Sequence, residues 1–427
     1  MKIVLLTLNF APELTGIGKY SGEMAAELAR RGHDVHVVCA PPYYPTWQVA
    51  EGHDAGRYRT EHPAEGLTVH RCPIWIPARP TGLSRLLHLA SFALSSLPVL
   101  MRLVFWQPQL VFVVAPALFC APAAWLTARL CGARAWLHIQ DFEIDAAYEL
   151  GLLRQPLLRR CALAAERILM RRFDAVSTIS RRMMRQFATK GIALHQTELL
   201  PNWVDLSAVK PSGRSLELRA TLGIGDEQLV CLYSGTINRK QGLGVLIEAA
   251  RLLRERPDIV FVISGNGEMR PSLQDAARDL ANIRFVELQP ASGLNALLNL
   301  ADIHLLPQLR GAADLVMPSK LVGMLASGRP VVAGAAVGTE TASIVMHCGL
   351  VVEPECAGDI ARAIESLHAN LERRQQLGRA ARAYAERLLD ADVIFRRLDA
   401  RLHALIEGSG RSSAVARPAA VTPSLRA

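Results

Sequence analysis

Residues 2–40 read "KIVLLTLNFAPELTGIGKYSGEMAAELARRGHDVHVVCA". The apolar run from Ile3 to Leu8 predicts a buried strand, and "DVHVVCA" from Asp34 to Ala40 predicts the next one. Apolar residues at positions 17, 20, 24 and 28 share one helical face between them. A strand, a glycine-containing turn, a helix and a second strand are typical of a parallel α/β sheet.

The same alternation continues along the chain. Strands are predicted at Leu110–Pro116, Ala133–Ile139 and Ala175–Ser180, and a second series begins at "QLVCLYSG", residues 228–235. Between the two series, "LLPNWVDLSAVKPSGRS" is rich in turn residues and predicts a linker. We therefore predict an α/β protein with two Rossmann-like parallel-sheet domains that face each other across a cleft. The predicted segments are residues 1–203 and 204–370 for the two domains, 371–407 for C-terminal helices, and 408–427 for a disordered tail.

Composition narrows the possible functions. The chain has 427 residues, a formal net charge of +9 and 6% aromatic residues, and it lacks a recognisable nucleic-acid module, so we expect no nucleic-acid partner. Its eight cysteines lack metal-ligand spacing, which argues against a zinc site or a disulfide framework and is typical of a reducing cytoplasm. Met1 leads directly into a strand, so we expect no secretory signal and a cytoplasmic location.

Two apolar stretches bear on membrane contact. Leu110 to Ala128 carries no charge, but Pro116 and Pro122 interrupt it, which favours a buried strand, a turn and a core helix over a spanning helix. The stretch from Leu86 to Met101 lies between two arginines. It is consistent with an amphipathic helix at a membrane interface and equally with ordinary domain packing.

Glycines follow several predicted strands. Gly16 and Gly18 lie between the first strand and its helix, where a backbone can approach a phosphate and a helix presents free N–H groups. A tight turn without a ligand explains them equally well, and the dinucleotide fingerprint is absent because its third glycine would fall at Ser21. Gly235 and Gly265 occupy similar positions in the second series.

Cations lie close to these turns in the second half. Arg239 and Lys240 follow Gly235, and such a pair can hold a diphosphate and stabilise its departure. Ser319 and Lys320 follow a proline that favours a helix start, where an anion can bind. We take them as candidate donor-binding residues, although a lone lysine is more often a surface residue.

His138 and Asp141 follow a predicted strand in the first half. We place them at the cleft as candidate catalytic residues, which would orient an acceptor or relay a proton. A packed or capping histidine is the simpler alternative. The acidic run continues through Glu143 and Asp145, and "DAD" at 390–392 is interpreted as a solvated helix terminus, so we predict no metal site.

Taken together, these motifs resemble the retaining GT-B glycosyltransferases of family 4, and within it the colanic acid biosynthesis group, usually described as fucosyltransferases. The resemblance covers about residues 1–405. Its motifs are "APELTGIGKY", "APPYYPTWQV", "LHIQD", "STISRRM", "PNWVD", "YSG…KQGL" and "MPSKL…LASGRPVV".

The resemblance implies that the first domain binds the acceptor, the second binds the sugar nucleotide, and the last helix crosses back. Lys240 and Arg239 would hold the donor diphosphate, the loop with Gly16 and Gly18 would approach it from the opposite side, and His138 would lie near the reacting sugar. It further implies a donor such as GDP-fucose, a lipid-linked saccharide acceptor, peripheral contact with the inner leaflet of the cytoplasmic membrane, and no metal or other cofactor.

One feature departs from the family pattern. Most of the wider family carries a pair of glutamates where this sequence has Leu315 and Gly323. Asp314 and Glu340 are candidates to replace them, with Glu340 at the donor site. Two alternatives to a transferase stay open from the residues: a sugar-nucleotide 2-epimerase of the same architecture, and a non-catalytic sugar-nucleotide-binding assembly subunit.

Overall fold

The computed structural model describes residues 1–13, 16–78, 82–115, 118–141, 156–310 and 318–408. Within them the chain forms an eight-stranded sheet and a six-stranded sheet, both covered by helices. The predicted architecture of two parallel-sheet α/β domains is therefore confirmed. Apart from Gly408, the predicted disordered tail lies outside the described residues.

The first sheet has the strand order β3-β4-β2-β1-β5-β6-β7-β8. All neighbours are parallel except β3 and β4, which form an antiparallel pair at one edge that the apolar pattern did not predict. Because β1 and β5 are covered on both faces, they consist of continuous apolar residues. The strands are β1 (Lys2–Thr7), β2 (Asp34–Cys39), β3 (Arg59–Ala64), β4 (Leu67–Arg71), β5 (Leu110–Ala115), β6 (Arg134–Ile139), β7 (Ala175–Thr178) and β8 (Thr197–Leu199).

The second sheet has the order β11-β10-β9-β12-β13-β14 and is parallel throughout. Its central strands are apolar and buried, as expected for a sheet with helices on both faces. The strands are β9 (Leu229–Ser234), β10 (Ile259–Ser264), β11 (Ile283–Val286), β12 (Ile303–Pro307), β13 (Val331–Gly334) and β14 (Gly349–Val352).

Helices connect the strands and cover the sheets. Short 3-10 turns occur at Leu118–Cys120, Leu194–Gln196, Arg239–Gln241 and Ala291–Gly293. The described α-helices are α1 (Gly16–Arg30), α2 (Gly82–Trp106), α3 (Ala121–Cys131), α4 (Pro156–Met170), α5 (Arg181–Thr189), α6 (Leu216–Thr221), α7 (Gly244–Leu252), α8 (Arg270–Ala276), α9 (Leu294–Leu300), α10 (Lys320–Ala326), α11 (Glu340–Val345), α12 (Ala357–Ala369), α13 (Leu371–Leu388) and α14 (Ala391–Ile406).

The chain passes between the two sheets more than once, and two of these passages are bonded to each other. The Val204 N–H donates to the Leu389 carbonyl at 2.9 Å, and the Ala391 N–H donates to the Val204 carbonyl at 3.1 Å. Helix α13 packs on α10 beside the second sheet, whereas α14 packs on α1 beside the first. The final helix therefore returns to the first sheet.

Helix α2 has one buried face and one exposed face. Phe92, Leu100 and Leu103 pack into the first domain, while the other side remains open to solvent. With 25 residues and a mean hydropathy of 1.6 over an 18-residue window, it is the one described helix that is long and apolar enough to cross a membrane. The stretch from Leu110 forms a buried strand followed by helix α3, as predicted.

The contact of α14 with the first domain generates a stability prediction. The Phe395 ring is buried with its centroid 4.6 Å from that of Trp203. Phe395→Ala should lower the unfolding free energy by about 3 kcal/mol, because it removes a buried ring and leaves a cavity. Leu371→Ala, at a residue that is 55% exposed, is the control and should change it by less than about 0.5 kcal/mol in the same urea titration. Equal effects of the two variants would contradict the packing of α14.

Candidate active site

Asp141 and Lys240 belong to different sheets, and the charge of Lys240 acts on the Asp141 carboxyl. Asp141 follows β6, and Lys240 lies in the 3-10 turn after β9, so each belongs to the carboxyl-end edge of its own sheet. Burial raises the pKa of the Asp141 carboxyl to about 7, and the positive charge of Lys240 acts in the opposite direction. The Asp141 Oδ1 atom is buried and has no hydrogen-bond partner among the described residues. The structure thus brings together two predicted catalytic residues from opposite halves.

His138 lies inside β6 rather than beyond its end, where the sequence placed it. It is 3% exposed, and its Nδ1 atom lies 2.9 Å from the Ser177 hydroxyl, which also accepts a hydrogen bond from the Trp136 indole. Burial lowers the pKa of His138 to about 3, so the ring is neutral at physiological pH. These contacts match the packed histidine that was the simpler alternative, and a catalytic role for His138 stays a prediction.

Lys320, the first residue of α10, extends toward the turn after β9. Its Nζ donates to the Tyr233 hydroxyl at 2.8 Å and to the Gln241 side chain, and it lies 4.4 Å from the centre of the Tyr233 ring. Burial lowers the pKa of Lys320 to about 7. A side chain at Gly235 would lie 3.4 Å from the Lys320 Nζ, so the lysine and the glycine turn are direct neighbours. Sequence reasoning missed Gln241, which is adjacent to Lys240.

The two glycine turns of the second domain pack on each other. A Cβ atom at Gly265 would lie 1.9 Å from the Gly235 carbonyl oxygen, and the φ angle of Gly265 is 140°. The close approach of the Gly235 backbone therefore requires a glycine at position 265, independently of any bound ligand. Arg239 is exposed in the same turn as Lys240, and Ser319 is the N-cap residue of α10 but makes no capping bond with its side chain.

On the first-domain side, the glycine turn has two different roles. Gly16 begins α1 with a φ of 59° and nothing within 4 Å of its Cβ position, so the backbone is open there. At Gly18 a Cβ would lie 2.5 Å from the Glu13 carboxylate. The close approach predicted for a phosphate at Gly18 is thus taken by a side chain of the same domain.

Glu13 is a site residue that sequence reasoning missed. It is 6% exposed, and its Oε1 accepts from the Tyr43 and Tyr44 N–H groups at 3.1 and 3.0 Å. Burial raises the pKa of its carboxyl. Glu13 thereby fixes the loop after β2 against the turn before α1. An acidic residue a few positions after the first strand was the available signal.

Glu340 connects the two domains. Its carboxylate oxygens accept from the N–H groups of Arg181 and Arg182 at 3.3 and 3.1 Å, and the Arg182 guanidinium donates to the Gly338 carbonyl. Glu340 thus caps the first turn of α5 from the other domain. Its predicted contact with the donor stays a prediction.

Of the two positions at which the wider family has glutamates, 323 belongs to the described residues and 315 does not. Gly323 lies in α10, and a Cβ there would be 3.3 Å from a Leu298 methyl group. A longer side chain at this position would have to displace Leu298. Leu315 and Asp314 lie outside the described residues, as do Glu143 and Asp145.

Among the described residues, His33, Asp399 and His403 form a group that could hold a metal ion. His33 immediately precedes β2, so this group lies at the opposite edge of the first sheet from Asp141. Asp390 caps α14 by accepting from the Asp392 N–H, in agreement with a helix terminus at "DAD". That the reaction needs no metal stays a prediction.

Solved structures with the same fold are glycosyltransferases and related synthases. The sucrose-phosphate synthase of Thermosynechococcus elongatus matches with a TM-score of 0.76 and 16% identity over 96% of this chain and 100% of that chain. HepE of Anabaena, solved with UDP and glucose, matches with a TM-score of 0.67 and 17% identity over 95% of this chain and 100% of that chain. These likenesses show that the chain has the GT-B fold.

Sequence comparisons give the family. Residues 15–203 match a glycosyl transferase 4-like domain, and residues 215–384 match the glycosyl transferases group 1 domain. The colanic acid biosynthesis glycosyl transferase WcaI of Escherichia coli (strain K12) is 43% identical over 93% of this chain and 98% of its own length. A GDP-mannose-dependent phosphatidylinositol monomannoside mannosyltransferase of Mycolicibacterium smegmatis is 30% identical over 90% of this chain and 93% of its own length.

The chain therefore belongs to glycosyltransferase family 4, and it is an enzyme of the transferase class. This assignment confirms the resemblance seen in the sequence. It favours a transferase over the 2-epimerase and over the non-catalytic subunit.

The raised pKa of Asp141 predicts a pH-dependent stability. Its ordinary value of 3.8 applies to the unfolded chain, whereas the folded value is about 7. The folded chain therefore retains a proton that the unfolded chain loses between these values, and the contribution of Asp141 to stability falls as pH rises through that window.

Asp141→Asn cannot ionise, so its Tm should exceed that of the natural chain by an amount that grows between pH 4 and pH 7 and stays level above, reaching about 3 °C. Asp226→Asn, at an exposed position, is the matched control and should show no such trend by differential scanning fluorimetry. A constant difference for Asp141→Asn across the range would refute the buried, protonated carboxyl.

Proposed function

We propose that the enzyme transfers a sugar, with retention, from a nucleoside diphosphate donor to a lipid-linked saccharide during exopolysaccharide synthesis of the colanic acid type. The relative WcaI is named for that process, which supports the proposed process here. The mycolicibacterial relative is named as GDP-mannose-dependent, which is consistent with a guanosine donor. Fucose as the sugar rests on the resemblance to the colanic acid group.

The observation that carries the proposal is the charge pattern of the cleft. Lys320 lies next to the Gly235 turn, Arg239 and Lys240 lie in the following 3-10 turn, and the open backbone at Gly16 would approach from the first domain. A diphosphate has the anionic oxygens that such a set of cations and N–H groups would bind. We therefore assign the donor diphosphate to this space.

In the proposed reaction, the bond between the sugar anomeric carbon and the diphosphate oxygen breaks, and the leaving diphosphate gains negative charge. Lys240, Arg239 and Lys320 stabilise that charge electrostatically, so no metal ion or other cofactor is required in this mechanism. The acceptor hydroxyl attacks the same face of the sugar and passes its proton to the departing phosphate oxygen. Asp141, on the acceptor side, is positioned to orient that hydroxyl.

The state of Lys320 fits this role. With its pKa near 7, the amine is only partly protonated in the empty cleft at neutral pH. A diphosphate beside it would favour the charged form, because a nearby anion raises the pKa of an amine. The protonated fraction of Lys320 would thus be highest when the donor is bound.

Lys240→Ala should reduce the rate of sugar transfer by about 100-fold or more, because it removes a cation that stabilises the leaving group. Transfer to a lipid-linked acceptor, or slow donor hydrolysis without one, is the measurement. Lys210→Ala, at an exposed lysine of the predicted linker, is the control and should react at the natural rate. Near-normal turnover of Lys240→Ala would remove that residue from the mechanism.

The donor itself can be identified by thermal shift with guanosine, uridine and deoxythymidine diphosphate sugars. GDP-fucose should raise the Tm most, since a ligand that binds only the folded state stabilises it. A larger shift with a uridine or deoxythymidine donor would overturn the guanosine assignment while leaving the transferase intact.

We further propose peripheral attachment to the cytoplasmic leaflet through α2. Its only charged residues are Arg85 and Arg102, and the neighbouring helix α3 adds exposed Leu126 and Leu130. An apolar stripe flanked by arginines is suited to an anionic lipid surface. The exposed residues that we call the α2 stripe are Leu83, Leu86, Leu87, Leu94, Leu97, Met101 and Phe105.

The double variant Leu94→Glu, Met101→Glu should bind anionic phospholipid vesicles at least about tenfold more weakly in sedimentation, because it places charges where acyl chains would lie. Leu252→Glu, at a residue that is 61% exposed in the second domain, is the control and should bind normally. Unchanged binding of the double variant would remove the α2 stripe from membrane attachment.

A further inference from the structure

A cavity of about 800 Å³ opens in the first domain beside α2. Its walls are the segment 46–49, residues 55 and 56, the segment 73–78, and Ser91 and Ser95 of α2. The cavity shares α2 with the α2 stripe, so a molecule that leaves the cavity along this helix would meet exposed apolar side chains.

The cavity lining is apolar and aromatic. Trp47, Val49, Ile74 and Trp75 contribute most of its large side chains. The serine hydroxyl of Ser91 is already bonded, because it accepts from the Trp75 N–H and donates to the His88 carbonyl. Ser95 likewise donates to a backbone carbonyl. With these hydroxyls occupied, the lining suits an apolar chain better than a sugar ring with many hydroxyls.

Hydrogen bonds hold the walls in place. The His88 ring donates from Nδ1 to the Trp75 carbonyl at 2.7 Å and accepts at Nε2 from the Tyr43 hydroxyl at 2.8 Å. The Trp47 ring lies 5.3 Å from His88 and 5.6 Å from Tyr43. The loop and α2 are thus fixed to each other, and the cavity exists without a ligand.

A cation lies beside the Trp47 wall of the cavity. The Arg85 guanidinium is 5.5 Å from the centre of the Trp47 ring, and no carboxylate of the described residues forms an ion pair with it. The loop that carries Trp47 also carries Tyr44, whose N–H donates to the Glu13 carboxylate beside the Gly18 turn. An anionic group on Arg85 would therefore lie where this loop joins the cavity to the first-domain side of the cleft.

We infer that this cavity binds the first isoprenoid units of a prenyl diphosphate acceptor, with the diphosphate at Arg85 and the sugar extending toward Asp141. The remainder of the chain would follow the α2 stripe into the membrane. The inference rests on the proposed lipid-linked acceptor and assigns to this chain the residues that would recognise its carrier.

Farnesyl diphosphate is a suitable probe, and its binding can be followed by tryptophan fluorescence and isothermal titration. Trp75→Ala and Arg85→Ala should each weaken it about tenfold, because one removes apolar contact area and the other a cation. Ala78→Trp should also weaken farnesyl diphosphate binding, because it narrows the cavity from an exposed position and removes none of the lining side chains. Farnesol should bind more weakly than farnesyl diphosphate to the natural chain and equally to Arg85→Ala.

Lys240→Ala is the control for the donor cleft and should bind the probe normally. Loss of probe binding in Lys240→Ala, with none in Trp75→Ala or Ala78→Trp, would overturn the inference, because the probe's diphosphate would then occupy the donor site. Weaker binding only in the Leu94→Glu, Met101→Glu variant would also overturn it, since the chain would lie on the surface. The Tm shift with nucleoside diphosphate sugars tests the proposed function separately, and Trp75→Ala should retain it in full.

Discussion

The cleft depends on the interaction of a buried carboxyl with a lysine that belongs to the other domain. Burial makes the charge of Asp141 unfavourable and raises its pKa to about 7, and Lys240 opposes this effect only in part. Lys320 is in the reverse situation, because burial disfavours its positive charge. The empty cleft is thus only partly charged at neutral pH. An anionic molecule that enters the cleft would favour the charged form of Lys320. This behaviour is expected of a site that binds a diphosphate.

Close backbone and side-chain contacts fix the positions of the loops that carry the cleft residues. Gly265 lets its turn rest on the Gly235 turn, which in turn lies against Lys320. On the opposite wall, Glu13 lies over Gly18 and holds the backbone of Tyr43 and Tyr44. Each wall therefore has a buried contact that sets the position of a loop. The ligand-facing groups are held by their neighbours before a ligand arrives.

The sequence predicted the fold well because long apolar runs and helical periods coincide with buried strands and covering helices. Asp141 and Lys240 each follow the carboxyl end of a strand, as the sequence indicated, and their roles at the cleft stay predictions. Glycine patterns were less informative: Gly18 and Gly265 mark close approaches, but a sequence cannot tell a ligand from another part of the chain. Glu340 bonds to residues about 160 positions away, and no local pattern reports such a contact.

The pairing of Val204 with the residues around Asp390 has a consequence for motion. Two chain segments that run between the domains are joined there by backbone hydrogen bonds, and so they behave as one short ribbon. Because such a paired segment bends more easily than it twists, one axis is favoured for the rotation of one domain relative to the other. The two domains would then open and close by a hinge motion about one axis. The lysines would return to the same place opposite Asp141 after each turnover.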